Sequence, residues 1–285
     1  MAAVYSGLTY CDLDRGREPN RLWDGFPDVQ GKSIFIKPNL VSPPTVWDSA
    51  SCTHISVVRL VLKKIFDSGQ PEKVLIGDCG FKDQFELTME LSEYPSLLKD
   101  FPELEIIPLQ DGENFHKFTL QRLPKGQYMS LFGAKISNYV LDSDVIINLP
   151  KMKVHSMAGI TGAIKNMMGC MAQKGSMHPK GSVPILHKRL RDLYFLLRNR
   201  VSWILMDGII GSEYCEQYGN PVNSGVLISG KDGWTVDCMA AQCMGIHPSK
   251  IAYLNYIKKD YKRDWPEILS PDIIKLYHLS MFFNE

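Results

Sequence analysis

The chain has 285 residues, enough to bury one large hydrophobic core or at most two modest ones. Apolar residues make up 45% of the sequence and charged residues 22%, which is ordinary for a folded globular protein. The 32 basic residues nearly balance the 31 acidic ones, which argues against a nucleic-acid partner, because a basic groove would need clustering of positive charge that overcomes this balance.

Strand-like and helix-like stretches alternate along the first half of the chain. Residues 33–41 predict a buried strand that runs into a Pro-Asn turn. Residues 56–68 have apolar positions at helical spacing and predict an amphipathic helix, with Thr53 or Ser56 as its N-cap and Gly69 at its end. Two more strands are predicted over residues 73–80 and 104–109.

The same alternation continues in the second half, where residues 144–149 form the clearest predicted strand. A helix is predicted from Ala158 to Met171, and another over Ile273–Phe283 that either closes the core or meets a partner chain, as in a homodimer. Further helices are predicted over residues 186–200 and 234–244, and strands over residues 203–206 and 226–229. This alternation is typical of βαβ units and predicts an α/β fold: a mostly parallel sheet with helices on both faces, in three layers.

A single α/β domain over residues 1–285 is the predicted organisation, because no internal repeat or linker-like run interrupts the pattern. Residues 111–137 contain polar and glycine-rich turns that are typical of a β-hairpin insertion. Residues 171–184 are rich in Gly, Ser, Pro and Lys and predict a loop that covers a binding cleft as a lid.

Cysteine usage and hydropathy predict the compartment. The seven cysteines are widely spaced and include no Cys-x-x-Cys pair, which argues against a zinc ribbon, an iron–sulfur cluster and a disulfide framework. Free thiols favour a reducing compartment. No apolar run reaches the ~18 residues of a membrane helix, and the amino terminus lacks the basic start of a signal peptide. The sequence therefore predicts a cytoplasmic protein with no membrane partner.

The strongest candidate site is the segment from Lys151 to His178, directly after the predicted strand 144–149. In a parallel sheet, ligands bind where strands end, and the N–H groups that open the next helix attract anions. Gly159 and Gly162 leave room for a ligand beside the backbone. Cationic or donor side chains are concentrated here: Lys151, Lys153, His155 and Lys165. The expected ligand is a carboxylate or a phosphate. The alternative is that the lysines are a solvated surface, His155 is a turn residue and the glycines only pack helix on sheet.

Polar residues at the ends of other predicted strands are candidates for the same crevice. Lys37 and Asn39 follow the first strand, where an ammonium and an amide are able to bind substrate. Asp78 and Asp207 also end strands and are candidates for a general base, a ligand or a hydrogen-bond acceptor. For each aspartate, a turn or cap role is the structural alternative.

Histidines are the candidates for metal chemistry. Together with His155, His178 and His187 would supply a divalent-metal ligand or an acid/base pair, with His178 as the candidate ligand. Their spacing repeats no known zinc signature. A surface or capping role is the alternative for His178 and for His187.

Several known signatures are absent from the sequence. It contains no Gly-x-Gly-x-x-Gly, Walker A, Gly-x-Ser-x-Gly or His-Glu-x-x-His motif. This argues against a dinucleotide oxidoreductase, a P-loop ATPase, a serine hydrolase of that type and a zinc protease.

Several of these motifs together resemble the domain-of-unknown-function 362 family. The resemblance runs from about residue 30 to 247 and is carried by Ile36–Leu40, Gly77–Asp78, Leu149–His155, Thr161–Gly169, Asp207–Gly208 and Ser229–Asp232. Some members of that family carry a ferredoxin-like four-iron module, whose cysteine set is absent from this sequence.

The chain is also similar to the amino-terminal domain of the nickel-pincer lactate racemases. The similarity lies in the order of a strand, a histidine, a Gly-rich turn and a lysine ten residues after the histidine. That similarity implies that Lys165 matches the lysine that anchors the cofactor, His155 the histidine that handles the substrate proton, and His178 the nickel ligand. A second catalytic histidine is expected after an early strand, where this chain has Asp78 and His54.

The predicted function is an enzyme of the lyase or isomerase type that acts on a small anionic metabolite, in a biosynthetic step. Lys165 and the helix start would bind the anion, and His155 would be the general acid or base, since its ordinary pKa near ~6.5 suits proton transfer in the cell. Two alternatives stay open: a non-catalytic accessory protein that carries a metal or a redox partner, and a regulatory protein that binds phosphate or a nucleotide.

Overall fold

The structure is a computed structural model that describes residues 2–44, 50–80, 84–109, 115–117, 129–172, 182–267 and 269–278. Its strands are β1 (Ala2–Tyr5), β2 (Ser33–Pro38), β3 (Lys73–Asp78), β4 (Leu104–Pro108), β5 (Phe115–Lys117), β6 (Lys135–Ser137), β7 (Val145–Leu149), β8 (Lys151–His155), β9 (Gly159–Thr161), β10 (Met171–Ala172), β11 (Val201–Glu213) and β12 (Asn220–Gly230).

Helices and short 3-10 turns connect these strands. The helices are α1 (Tyr10–Asp14), α2 (Ile55–Ser68), α3 (Phe85–Leu91), α4 (Leu97–Asp100), α5 (Asn138–Leu141), α6 (Ala163–Asn166), α7 (Val183–Leu197), α8 (Gly233–Cys243) and α9 (Ala252–Tyr261). The 3-10 turns span Tyr94–Ser96, Met129–Leu131, Met167–Cys170 and Pro248–Lys250.

The main sheet has the strand order β1-β12-β11-β7-β2-β3-β4, and the β8–β9 pair is attached to β11. Strands β11, β7, β2, β3 and β4 run parallel, whereas β12 and β1 add an antiparallel edge. One core cluster packs α2 against one face, and a second packs α7, α8 and α9 against the other. The predicted α/β fold, with a mostly parallel sheet between two helical layers, is therefore confirmed.

Local patterns explain why the central elements form. Strand β7 is buried at every position, as expected of a parallel strand covered on both faces. Helix α2 buries one stripe of apolar residues, and its N-cap is His54, whose Nδ1 accepts a hydrogen bond from the Ser56 amide at 3.2 Å. The predicted N-cap, Thr53 or Ser56, was wrong, because the Thr53 hydroxyl is instead bonded to the Leu149 carbonyl.

The helix predicted from Ala158 to Met171 was wrong. The segment starts with β9, which pairs antiparallel with β8, and only Ala163–Asn166 is α-helical. Lys-Met-Lys-Val-His alternates polar and apolar residues with the period of a strand, and Gly159 adopts a φ of 85° at the hairpin turn. The junction after β7 is thus a β-hairpin rather than a turn that opens a long helix.

The helix predicted over Ile273–Phe283 is also absent from residues 273–278, while residues 279–285 lie outside the described part of the chain. Backbone groups of this segment bond to other elements: the Lys275 amide donates to Cys243, and the Tyr277 amide donates to Met244. Tyr277 is buried and its hydroxyl lies 2.7 Å from that of Ser224. The segment closes the core as an extended strap.

Two predicted surface features fall largely outside the described residues. Strands β5 and β6 pair antiparallel within the predicted hairpin insertion 111–137, but residues 118–128 are not described. Of the predicted lid 171–184, residues 173–181 lie outside the description, and His178 is among them. In the part of the chain that is described, none of the helices is both long and apolar enough to cross a membrane.

Candidate functional site

The candidate site is built on β8, which follows β7 after Pro150 and pairs in parallel with β11. Successive side chains of a strand point to opposite faces. Met152 and Val154 lie in the core cluster that contains α6, so Lys151, Lys153 and His155 occupy the other face. We call this the polar face of β8. Both lysines are buried, with exposed fractions of 1% and 0%, so the alternative of a solvated lysine surface was wrong.

Lys151 is paired with Asp207 of β11. Its ammonium lies 2.7 Å from Asp207 Oδ2 and donates a second hydrogen bond, also 2.7 Å long, to the hydroxyl of Tyr10. The Tyr10 hydroxyl donates to Asp207 Oδ1 at 3.0 Å, and the amide of His54 donates to Oδ2 at 2.9 Å. Burial and the charge of Asp207 hold the pKa of Tyr10 well above its ordinary value. This group is therefore an internally neutralised cluster that links α1, α2 and the sheet.

Tyr10 and His54 form the partly exposed end of this cluster. Their rings stack with centroids 3.6 Å apart and an interplanar angle of 9°. Burial lowers the pKa of His54 to about 4, so the ring is neutral at pH 7. Because Nδ1 accepts from the Ser56 amide, the proton of the neutral ring lies on Nε2.

Residues 51–54 cross the carboxyl edge of the sheet and connect its polar groups. The Lys153 ammonium donates to the Ser51 carbonyl at 2.7 Å, and the Thr53 hydroxyl donates to the Leu149 carbonyl at 2.6 Å. Burial raises the pKa of the Cys52 thiol, and the nearby Lys153 charge opposes this shift. The chain before α2 is thus one wall of the candidate site.

His155 ends β8 with both ring nitrogens engaged. Its Nδ1 accepts from the amides of Met157 and Ala158 at 3.1 and 3.2 Å, and its Nε2 lies 3.6 Å from a carboxylate oxygen of Glu216. Since Nδ1 is an acceptor, the neutral imidazole carries its proton on Nε2. His155 is held as a donor through Nε2.

Lys37 and Asp78 form a second buried pair, with Lys37 Nζ 2.8 Å from Asp78 Oδ1. Asp78 Oδ2 accepts from the Leu40 amide at 2.7 Å, and Lys37 also donates to the Pro38 carbonyl at 2.6 Å. Gly169 packs against both side chains, since a methyl group there would come within 2.0 Å of Asp78 Oδ1. The pair is sealed by the segment that follows α6.

A carboxamide network joins this second pair to α6. Asn166 donates from Nδ2 to the Lys37 carbonyl at 3.0 Å and to Asn148 Oδ1 at 2.8 Å. The side chain of Asn39 donates from Nδ2 to Asn166 Oδ1 at 2.9 Å. On β2, Lys37 has the parity of Phe35, which packs in the cluster of Met152, so this network lies on the side opposite the polar face of β8.

The start of α6 is occupied by Asp237 of α8. Its carboxylate accepts from the amides of Ala163 and Ile164 at 2.5 and 3.2 Å and from the hydroxyl of Tyr253 at 2.9 Å. Burial raises the pKa of Asp237 to about 7. A methyl group at Gly162 would lie 2.2 Å from Asp237 Oδ1. Gly162 therefore packs against a carboxylate of the protein, and the anion expected at the helix start is an internal one.

The structure thus separates the predicted residues into two groups. Lys151, Lys153, His155 and Asp207 share the polar face of β8, whereas Lys37, Asn39 and Asp78 belong to the second pair and its network. Lys165 is half-buried on α6, and His187 of α7 stacks on Tyr253, where burial lowers its pKa to about 4. Among the residues with described positions, no three potential metal ligands converge.

Sequence reasoning missed several members of these clusters, namely Tyr10, Ser51, Asn166, Gly169, Glu216 and Asp237. The polar face of β8 was predictable from sequence, since Lys-Met-Lys-Val-His alternates polar and apolar residues as a strand does. Tyr10 has no comparable signal, because its partners are distant in the chain.

Comparison with known proteins identifies a family model. The model described as "Domain of unknown function (DUF362)" matches residues 34–242. A thylakoid-associated protein of Synechocystis sp. is 25% identical over 229 residues, which are 78% of this chain and 65% of that protein. The chain therefore spans less than two thirds of this curated relative.

Two solved structures are similar to the chain. The lactate racemase apoprotein from Thermoanaerobacterium thermosaccharolyticum has a TM-score of 0.52 and 16% identity, covering 84% of this chain and 56% of that one. A protein from Thermotoga maritima has a TM-score of 0.45 and 14% identity, covering 81% of this chain and 57% of that one. The racemase comparison shows that the α/β fold is shared.

Proposed function

The chain belongs to the DUF362 family, as its sequence motifs predicted, and we propose that it is an enzyme that acts on a small anionic metabolite at the polar face of β8. One observation carries the proposal: Lys151, Lys153 and His155 alternate along one buried face at the carboxyl edge of the sheet. Ligands of α/β proteins bind at this edge. Burying charged side chains costs free energy, and hydrophobic side chains in their place would stabilise the fold at least as well. A binding role therefore explains the buried lysines better than a contribution to stability does.

The residues of the polar face have different roles in this proposal. Lys151 is held by Asp207 and Tyr10 and orders the floor of the site. The Lys153 ammonium donates to the neutral carbonyl of Ser51. In the proposed complex it would donate a hydrogen bond to a carboxylate or phosphate of the substrate. Lys37, Asn39 and Asp78 would support the neighbouring part of the edge.

His155 would act as a hydrogen-bond donor through Nε2. Its Nδ1 is held by two amides, so Nε2 is the atom that carries the proton toward a substrate. A donor at this position stabilises the negative charge that develops on a substrate oxygen during proton transfer, isomerisation or elimination. Glu216, whose carboxylate oxygen lies 3.6 Å from Nε2, would orient the ring.

The described residues do not assemble the nickel cofactor site of the racemases. Lys165, the match for the cofactor-anchoring lysine, lies on α6, whose Ala163 and Ile164 belong to the core cluster on the face of β8 opposite His155. His178, the match for the nickel ligand, lies outside the described residues. The proposed chemistry therefore involves the side chains of the polar face alone.

Calorimetric titration of the full chain with L-lactate and with inorganic phosphate tests the proposal. Lys153→Met should weaken binding of the cognate anion about 10- to 100-fold, because a charge-assisted hydrogen bond contributes roughly 1.5–3 kcal/mol. Lys63→Met, on the exposed side of α2, is the matched control and should bind as the wild type does. Equal loss in both variants, or binding of neither anion by the wild type, would contradict the proposal.

Proton chemistry is tested separately by incubating the wild-type protein with L-lactate in D2O and following the α-proton by NMR. Exchange that disappears in His155→Gln and persists in Lys63→Met would support acid–base chemistry at the polar face. Anion binding without any exchange would favour the regulatory anion-binding alternative.

A further inference from the structure

A buried hydroxyl on β9 has no hydrogen-bond partner. Thr161 is 3% exposed, and among the described residues its Oγ1 meets neither a donor nor an acceptor. A desolvated polar group without a partner costs about 1–3 kcal/mol, and buried polar groups are nearly always bonded. The hydroxyl of Thr161 is therefore a group that a ligand is able to satisfy.

The register of the hairpin places Thr161 beside Lys153. The two residues are directly opposite each other in the antiparallel pair, so their side chains share one face of the sheet. The adjacent pair, Val154 and Ile160, packs in the core on the other face. Thr161 thus belongs to the polar face of β8.

A glycine lies next to this pair on β9. Gly159 lies opposite His155 and shares the face of Thr161, which follows two residues later on β9. Because glycine has no side chain, β9 places no side chain directly opposite His155. Three donor side chains, those of Lys153, Thr161 and His155, therefore share the face on which β9 carries only backbone at Gly159.

We infer that Thr161 is the second donor of the anion subsite: Thr161 Oγ1 and Lys153 Nζ bind two oxygens of one oxyanion of the substrate. The inference rests on the proposed function, since it concerns the same polar face. Opposite residues of an antiparallel pair have Cβ atoms about 5 Å apart, and each donor reaches its acceptor at about 2.6–2.9 Å, so one carboxylate or phosphate is able to bridge them. The ammonium of Lys153 disfavours a cation there.

Folding alone does not explain the hydroxyl. Threonine is a good strand residue because its Cβ is branched, but valine has the same branch and buries no polar atom. Thr161→Val should therefore leave the melting temperature unchanged or raise it. The same substitution should weaken binding of the cognate anion by roughly tenfold or more, while Thr161→Ser, which keeps the hydroxyl, should bind within about threefold of the wild type.

The experiment titrates L-lactate and inorganic phosphate into the wild type, Thr161→Val, Thr161→Ser and Lys153→Met, and records each melting temperature. A loss in Thr161→Val that Thr161→Ser restores supports the subsite, and the anion that shows it identifies the oxyanion as carboxylate or phosphate. If Lys153→Met loses affinity and Thr161→Val does not, the proposed function holds and the inference is overturned. If the wild type binds neither anion, both are overturned.

Discussion

The ammonium of Lys151 lies 2.7 Å from a carboxylate oxygen of Asp207, and neither residue is more than 1% exposed. The two residues are partners across β8 and β11 and are 56 positions apart in the chain. Their contact joins the candidate site to the central sheet. The stability of the fold and the geometry of the polar face are therefore coupled through this pair.

Removing one partner of this pair should be strongly destabilising. Lys151→Met leaves the Asp207 carboxylate buried without its cation, which typically costs about 3–5 kcal/mol of the free energy of unfolding. The double variant Lys151→Met/Asp207→Leu should regain much of that loss, because no charge stays buried. Urea unfolding of the wild type, both single variants and the double variant measures the coupling. Additive losses would show that the two charges do not interact.

Gly169→Ala should destabilise the fold and disturb the Lys37–Asp78 pair. The new methyl group would meet Asp78 Oδ1 at 2.0 Å and Lys37 Nζ at 2.7 Å, so buried charged groups must shift, at a cost of about 1–3 kcal/mol or more. Gly233→Ala is the control, since its methyl group would lie at an ordinary 3.4 Å from Ile164. Thermal unfolding compares the two variants. Equal melting temperatures would contradict tight packing at Gly169.

The stability of the protein should fall as the pH rises through the titration of Asp237. Burial raises the pKa of this carboxyl from 3.8 to about 7, so the folded state binds the proton more tightly than the unfolded state does. The stabilisation that comes from this protonated carboxyl is fully present below the pKa of the unfolded state and is lost as the pH rises through about 7. The free energy of unfolding should change by roughly a few kcal/mol. Asp237→Asn should lack this component. Denaturant unfolding of both proteins between pH 4 and pH 8 measures the difference, and parallel profiles would exclude it.

Lys165→Ala separates a ligand role from a scaffold role for this half-buried lysine of α6. If Lys165 binds the substrate anion, its loss should weaken affinity by roughly one to two orders of magnitude while the melting temperature hardly changes. If it is a scaffold residue, the melting temperature should fall and the folded fraction should still bind. Titration and thermal unfolding of the same variant decide between these outcomes. Unchanged affinity would show that Lys165 does not bind the anion.

The elements that sequence predicted well are those with a strong local pattern. The strand from Lys73 and the helix α2 lie close to their predicted bounds, because a continuous apolar run and a helical apolar stripe each favour one kind of structure. The segment after β7 was assigned incorrectly, since its glycines and short apolar runs fit a turn and a helix as well as a hairpin. Pairing with β11 decided between them.

The sequence by itself determined the α/β class and the family and predicted where the candidate site lies, because strand and helix periodicity and the motif residues are local properties of the chain. Only the tertiary structure decided which candidates meet. Lys151 acquires Asp207 and Tyr10, which are 56 and 141 positions away, and the start of α6 acquires Asp237, 74 positions away from Ala163. Whether a lysine is solvated or buried beside an acid depends on the pairing of distant strands, and no local pattern encodes that pairing.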